Sequence, residues 1–266
     1  IILASSCNII SGYTGYLDFG HQVYFGIGAY TAAILMARYL TPFYVAILAG
    51  GLISALISLA IGYPLFRVRG AYFVLITIAF NEVVYMFVAN AKELTGGSEG
   101  ISIHPEYVLH PFYYLTLFVA IITVLTSYLL KRSTIGMALS AIKDDELASK
   151  TRGINTAKYK LLAYVISAFY PGIAGGLYIW YMTYIDPGTA FSWLLSVNQI
   201  IPTLFGGIGT VLGPVIGTIV FSAIYEVLWS TYPTIYQMIL GITIVLIVTF
   251  LPGGLIELSE KIRLRK

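Results

Sequence analysis

Apolar runs of membrane-spanning length follow one another down this chain, and nearly all of its charge is confined to the short stretches between them. A bilayer core about 30 Å thick takes roughly 20 mostly apolar residues as a helix. The chain is 58% apolar and only 10% charged, where a soluble domain carries about a quarter charged residues. The sequence is therefore read as an all-α integral membrane protein, one polytopic domain over residues 1–266.

About eight spans are expected from the length rule. The predicted ranges are Gly20–Ala37, Phe43–Phe66, Ala71–Ala91, Phe112–Leu130, Tyr159–Tyr184, Phe191–Phe205, Val211–Trp229 and Ile235–Leu251. The sixth is short and closes on Gly206-Gly207-Ile208-Gly209, which predicts a partial or broken helix. Lys and Arg near span ends set which side stays in the cytoplasm. Arg67 and Arg69, the seven basic residues from Lys131 to Lys160, and the four from Lys261 to Lys266 all fall on one side of this arrangement. Only Arg38 and Lys92 fall on the other, so thirteen of the fifteen basic residues share a side. The net charge of +3 thus reads as a topology signal and not as a nucleic-acid surface. Ile1 opens directly on an apolar run with neither Met nor a charged leader, so the native chain is expected to begin further upstream, with an N-terminal span or spans missing here.

The polar segment Ser133–Lys158 carries a sparse apolar stripe of Ala138, Ile142, Leu147 and Ala148. Two readings stand for it. One is a solvated loop that obeys the charge rule. The other is a docking helix, with Ala138, Ser140, Ala141 and Ala148 small enough for close approach and Lys143, Asp144, Asp145 and Glu146 setting register by charge.

Glycines crowd Ser11–Gly28, Thr95–Gly100 and Leu204–Gly217. In lipid, small residues first of all let helices approach, and Gly26 and Gly28 are read that way. The stretches SGYTGYLDFG and FGGIGTVLGP are too dense for ordinary spans. Broken helices lining a cavity are the alternative, in corresponding positions of two halves as transporters place them. That makes Gly12, Gly15, Gly206 and Gly207 candidates for the translocation path.

Glu82 falls near the middle of the third span, where an ionised side chain costs on the order of 3 kcal/mol on insertion scales. It is expected to face protein interior or water, either lining a path or as a structural carboxyl; Asn81 beside it points about 100° away. Glu226 sits nearer an interface. His21, His104 and His110 lack metal-ligand spacing, Cys7 is read as a buried, inert thiol, and neither a nucleophile elbow nor a phosphate loop occurs. No catalytic or metal site is expected, and any ATP hydrolysis belongs to another chain.

These residues resemble the second permease subunit of high-affinity branched-chain amino-acid ABC importers, with urea and short-amide permeases close behind. The resemblance spans nearly the whole chain. NIISGYTGYLDFGHQVYFGIGAY carries Asn8, Gly12, Gly15, Gly26, Gly28 and Tyr30 at family positions, and VRGAYFVLITIAFNEVVYMF carries Arg69, Gly70, Tyr72, Thr77 and Glu82. ELTGGSEGI, LFGGIGTVLGPVIGT and LPGGLIEL follow in order. In the 133–158 loop, Ala141, Asp144, Glu146, Ala148, Gly153 and Ile154 match the family's ATPase-contacting pattern. Three features depart from it: Asp18 replaces a usual Ser, Leu147 replaces an Ala with four residues between Ala148 and Gly153, and family members carry spans upstream of Asn8.

The resemblance implies a permease working by alternating access in a prokaryotic inner membrane. It would pair with a homologous permease, two ATPase subunits that bind the ATP and Mg, and an extracytoplasmic substrate-binding protein; no cofactor is expected in this chain. The implied path includes Asn8, Gly12, Gly15, Asn81, Glu82, Gly206 and Gly207, and the implied ATPase-coupling set is Ala141, Lys143, Asp144, Asp145, Glu146, Ala148, Gly153 and Ile154. A proton-coupled secondary transporter using Glu82 is the competing class.

Overall fold

Helix α1 (Ile2–Thr14) is only 13 residues long, yet every residue from Ala4 to Thr14 is buried. A helix apolar or small on all faces belongs inside a bundle, and α1 is enclosed by its neighbours on every side. It ends at Gly15, whose φ of +77° is a left-handed cap that glycine adopts without Cβ strain. The computed structural model describes residues 1–103 and 109–231, with Met238, Gly241, Ile242 and Gly254 beyond them.

After the break come α2 (Gln22–Tyr39), α3 (Phe43–Leu65), α4 (Ala71–Asn90) and the short α5 (Lys92–Thr95). A 3₁₀ turn at Gly97–Glu99 leads to β1 (Ile101–Ser102), and α6 (Leu109–Arg132) returns across the bundle. Then follow α7 (Thr134–Asp144), α8 (Glu146–Thr151), α9 (Thr156–Met182), β2 (Tyr184–Ile185), α10 (Pro187–Ala190), α11 (Trp193–Gly206) and α12 (Gly213–Thr231).

Among the described residues, four helices are long and apolar enough to cross a membrane: α3, α4, α6 from Pro111, and α9. The second to fifth predicted spans fall on these. The first matches α2, while the sixth falls on the short α11, and the seventh becomes α12, whose apolar part Gly213–Leu228 is shorter. The eighth, Ile235–Leu251, lies outside the described residues except for Met238, Gly241 and Ile242, and the basic tail and His104 lie outside them entirely.

Two expectations need correction. The first glycine-rich stretch is helical as far as Thr14, so the break is confined to residues 15–21. Apolar Ile2, Ile9 and Ile10 and the buried small residues carry the helix up to that point. The polar segment is two helices, not one. Asp145 adopts an extended backbone, φ −154°, and its carboxylate caps α8 by accepting from the backbone N–H of Leu147 and Ala148.

Helices α2, α3 and α9 form the tightest trio, and its seam is glycine. A methyl at Gly28 would overlap the Gly172 carbonyl, and Gly50 and Gly172 are similarly crowded, which is the close-approach use of small residues in lipid. Ser54 Oγ donates to the Tyr24 carbonyl across the seam at 2.9 Å. Gly26 meets the Phe191 ring.

The ends of the bundle agree with the charge count. At one end Arg69 pairs with Glu146 at 3.0 Å, joining the α3–α4 turn to α8. At the other, Arg38 donates to the Glu93 carbonyl, and β1 pairs antiparallel with β2, Ile101 opposite Ile185. The chain then re-enters from β2. Asn81 lies ten residues into α4, about 15 Å along its axis, and its amide donates to the Phe191 carbonyl at 3.0 Å.

Candidate functional site

The two glycine-rich breaks meet through Asn8. Its amide donates to the Thr210 carbonyl at 2.7 Å, and its carbonyl oxygen accepts from Gly209 N–H at 2.7 Å. Both bonds use the backbone of residues 207–212, which no helix satisfies, so a buried Asn replaces the missing ladder. Gly12 sits one turn further on the same face of α1. A Cβ there would lie 2.6 Å from Gly209 N, so the breaks approach only because position 12 has no side chain. Gly206 packs against Gly213 where α11 meets α12, and Gly207 ends α11.

The polar segment is fastened to the first break at two points. Lys143 Nζ donates to the Gly12 carbonyl at 2.9 Å, placing a cation against the last turn of α1, where free carbonyls favour it. The Tyr16 hydroxyl donates to Glu146 Oε2 at 2.7 Å. Gly15, the left-handed cap, lies between these two attachments. The second break is held from α6, where Lys131 Nζ donates to the Gly209 carbonyl at 2.6 Å.

Glu146 is the hub. Its Oε1 lies 3.0 Å from Lys160 Nζ, 3.0 Å from Arg69 and 3.5 Å from Lys150, and accepts from Thr156 Oγ1 at 3.2 Å. The carboxylate is 8% exposed and Lys160 is 1% exposed. Lys160 also donates to the Tyr16 hydroxyl at 3.0 Å and lies over the Tyr16 and Phe66 rings. Burial by itself pushes a carboxyl pKa up. Here the Tyr16 hydroxyl, Lys160 and Arg69 reverse that and hold Glu146 down to about 2. A buried ion of this kind persists only when it is fully paired.

Of the remaining predicted coupling residues, Asp144 and Asp145 are exposed, Ala141 and Ala148 are half-buried, and Gly153 and Ile154 close α8. Met137 and Leu147 leave 64% and 65% of their surfaces open on the same two helices.

Asn81 is buried and Glu82 is exposed. Helix α4 packs through Phe73, Thr77, Asn81 and Val88. Glu82, one residue round from Asn81, stands on the outward face with Tyr72, Leu75, Val83 and Met86. It does not face this chain's own interior. Glu226 is likewise exposed, and Cys7 is buried.

A polar seam between α1, α2 and α11 escaped the sequence reading. Asp18 Oδ2 lies 3.3 Å from His21 Nδ1, and His21 Nε2 lies 3.3 Å from Ser6 Oγ, all three fully buried. Ser196 bonds Gln22 and the Phe19 carbonyl, and Thr203 Oγ1 donates to the Ala4 carbonyl at 3.1 Å. Ser5 Oγ and both polar atoms of the Gln199 amide find no partner among the described residues. The signal was present: Ser5, Asn8 and Gly12, and likewise Ser196, Gln199 and Thr203, recur at i, i+3, i+7, one face of a helix.

Spanning helices, a broken pair at their centre and a polar helix pair lashed to the break define a multi-pass membrane permease. Residues 1–248 match the family described as the permease component of branched-chain amino-acid transport systems, and the chain belongs to that family. It is 26% identical to the high-affinity branched-chain amino-acid transport permease LivM of Salmonella typhimurium strain LT2, over 98% of this chain and 68% of that protein. Escherichia coli K12 LivM is similar to the same extent. LivH of Salmonella typhimurium is 23% identical over 97% of this chain and 91% of its own length. No solved structure matches.

Proposed function

We propose that the chain is a transmembrane permease subunit of an ATP-driven importer for branched-chain or related hydrophobic amino acids, in the inner membrane of a prokaryote. The observation that carries this is the double attachment of the polar segment, Lys143 to the Gly12 carbonyl and Glu146 to Tyr16, on either side of Gly15. On this reading the basic end is cytoplasmic. Partner ATPase subunits, which bind the ATP and Mg, seat on the exposed faces of α7 and α8, with Met137, Asp144, Asp145 and Leu147 presented to them and Ala141, Ala148, Gly153 and Ile154 shaping the seat. Lys143, through its bond to the Gly12 carbonyl, and the buried Glu146 relay the movement. A packed helix pair with two discrete positions transmits such motion to the break it holds.

Asn8, Gly12, Gly15, Gly206 and Gly207 then form the moving part of the path, lined by the seam around Ser5 and Gln199. Buried polar atoms without partners cost about 1–3 kcal/mol each, and the passing solute or its water supplies their bonds. The outward face of α4 belongs against a second, homologous permease. An ionisable group at mid-span facing lipid is expensive, and pairing two such faces around a central path gives Glu82 a polar neighbour. Relatives of both the LivM and the LivH kind fit a two-permease assembly. A separate substrate-binding protein would deliver solute to the end bearing β1 and β2.

The test is co-purification of the tagged chain from its native membrane, comparing wild type with the exposed-face double variant Met137→Glu/Leu147→Glu. Recovery of an ATPase and a second permease, with only the ATPase lost from the variant, supports the reading. A wild-type chain that comes down alone and still moves solute after ATP depletion contradicts it, and points to secondary transport.

A further inference from the structure

At the basic end a groove of about 750 Å³ opens between α3 and α9. Its rim is cationic: Arg67, Arg69, Lys150 and Lys158 line it, and no Asp or Glu does. Glu146, just behind, lies within 3.5 Å of Arg69 and Lys150, and it serves Lys160 as well. One carboxylate thus answers three cations. Arg67 is held 5.0 Å over the Tyr63 ring, and Lys158 has no carboxylate partner among the described residues. Lys158 stands in the first turn of α9, where the helix dipole adds to the positive potential.

The wall above this rim is apolar and belongs to the spans. Leu161, Leu162 and Val165 continue the groove along α9, and Leu59 and Tyr63 along α3. From Lys158 to Val165 is seven residues, about 10 Å of helix. With the basic helix end at the headgroups, as the membrane reading has it, those positions are at a depth that suits an acyl chain and not a soluble domain. Tyr63 is 61% exposed and sits in the last turn of α3, the level at which tyrosines collect at membrane interfaces.

We infer that this groove binds an anionic phospholipid of the cytoplasmic leaflet, its phosphate among Arg67, Lys158 and the flanking Arg69 and Lys150, and one acyl chain against Leu161, Val165 and Leu59. Basic pockets between helix ends at this level suit such headgroups, and guanidinium adds bidentate bonding to phosphate oxygens. The inference rests on the membrane reading of the chain, not on which solute or ATPase it works with.

The test is native mass spectrometry of the intact permease complex, released from nanodiscs of phosphatidylglycerol and phosphatidylcholine in equal parts. The variants are Arg67→Gln/Lys158→Gln and the charge-keeping Arg67→Lys/Lys158→Arg; neither residue pairs with Glu146. The expected result is retained phosphatidylglycerol, reduced on the order of tenfold in the Gln variant and kept in the charge-keeping one, with inorganic phosphate at millimolar levels displacing nothing. Equal retention of phosphatidylcholine overturns the inference, as does displacement by phosphate, which would mark a simple anion site. Loss of lipid whenever the ATPase is bound would make the groove a protein dock and equally overturn it.

Discussion

Lys143 Nζ donates to the carbonyl oxygen of Gly12 at 2.9 Å, across 131 residues of sequence. That bond ties a charged helix at the basic end directly to the point where the first glycine-rich helix stops. One turn earlier on the same face of α1, Asn8 holds the second break. On the proposed reading, a displacement of α7 is applied to both breaks together.

Glu146→Gln removes the charge that keeps Lys160 in the protein. Breaking a buried pair by deleting one partner costs about 3–5 kcal/mol. Unfolding of the purified chain in mild detergent measures this, and the double variant Glu146→Gln/Lys160→Met is expected to recover part of the loss. Additive losses in the double variant would mean that the two side chains do not work as a unit.

The same carboxylate predicts a pH dependence. Its folded pKa is lowered from 4.5 to about 2, so its contribution is complete above the unfolded value and is lost as pH falls through the folded one. At 1.36 kcal/mol per unit this amounts to about 3 kcal/mol. The stability difference between wild type and Glu146→Gln is expected to be flat from pH 8 to about 5 and to shrink below about 4.5. A difference that already declines between pH 7 and 6 would contradict the assignment of Glu146 as the controlling group.

Gly12→Ala drives a methyl toward Gly209 N, 2.6 Å away. Overpacking of this kind costs about 1–3 kcal/mol. The thermal midpoint of the purified chain is expected to fall, while Gly153→Ala, where no heavy atom stands within 4 Å of the added Cβ, disturbs only its local turn and leaves Asn8 in place.

Glu82→Cys is expected to leave the isolated chain as stable as wild type, within about 0.5 kcal/mol for a surface site. In the two-permease assembly proposed above, the new thiol is expected to form a disulfide with a cysteine placed on the facing helix of the second permease. Reaction only with a lipid-soluble maleimide, with no cross-link from any facing position, would place lipid against this face.

The sequence carried the spans well because long apolar runs and charge asymmetry are additive signals. The second to fifth predicted spans end within a few residues of α3, α4, α6 and α9. What it hid was set by contacts between distant residues. Composition at Ile2–Thr14 does not reveal a helix enclosed on all sides, since SerSerCysAsn reads as polar until Ser6 finds His21 and Asn8 finds Gly209. Glu146 looked like a charge for a partner to read, and only the approach of Arg69, Tyr16 and Lys160 turns it inward. Glu82 carries the reverse lesson: mid-span charge implies a polar neighbour, but not one within the same chain.

Lys143→Met decides whether α7 drives the break: the variant is reconstituted in liposomes with the partners proposed above, and ATP hydrolysis and solute uptake are measured on one preparation. A charge-assisted hydrogen bond is worth about 1.5–3 kcal/mol, so uptake is expected to fall on the order of tenfold while hydrolysis continues, the signature of an ATPase still seated but no longer driving the break. Uptake per ATP equal to wild type would show that the link from Lys143 to Gly12 carries no coupling, and would contradict the central claim.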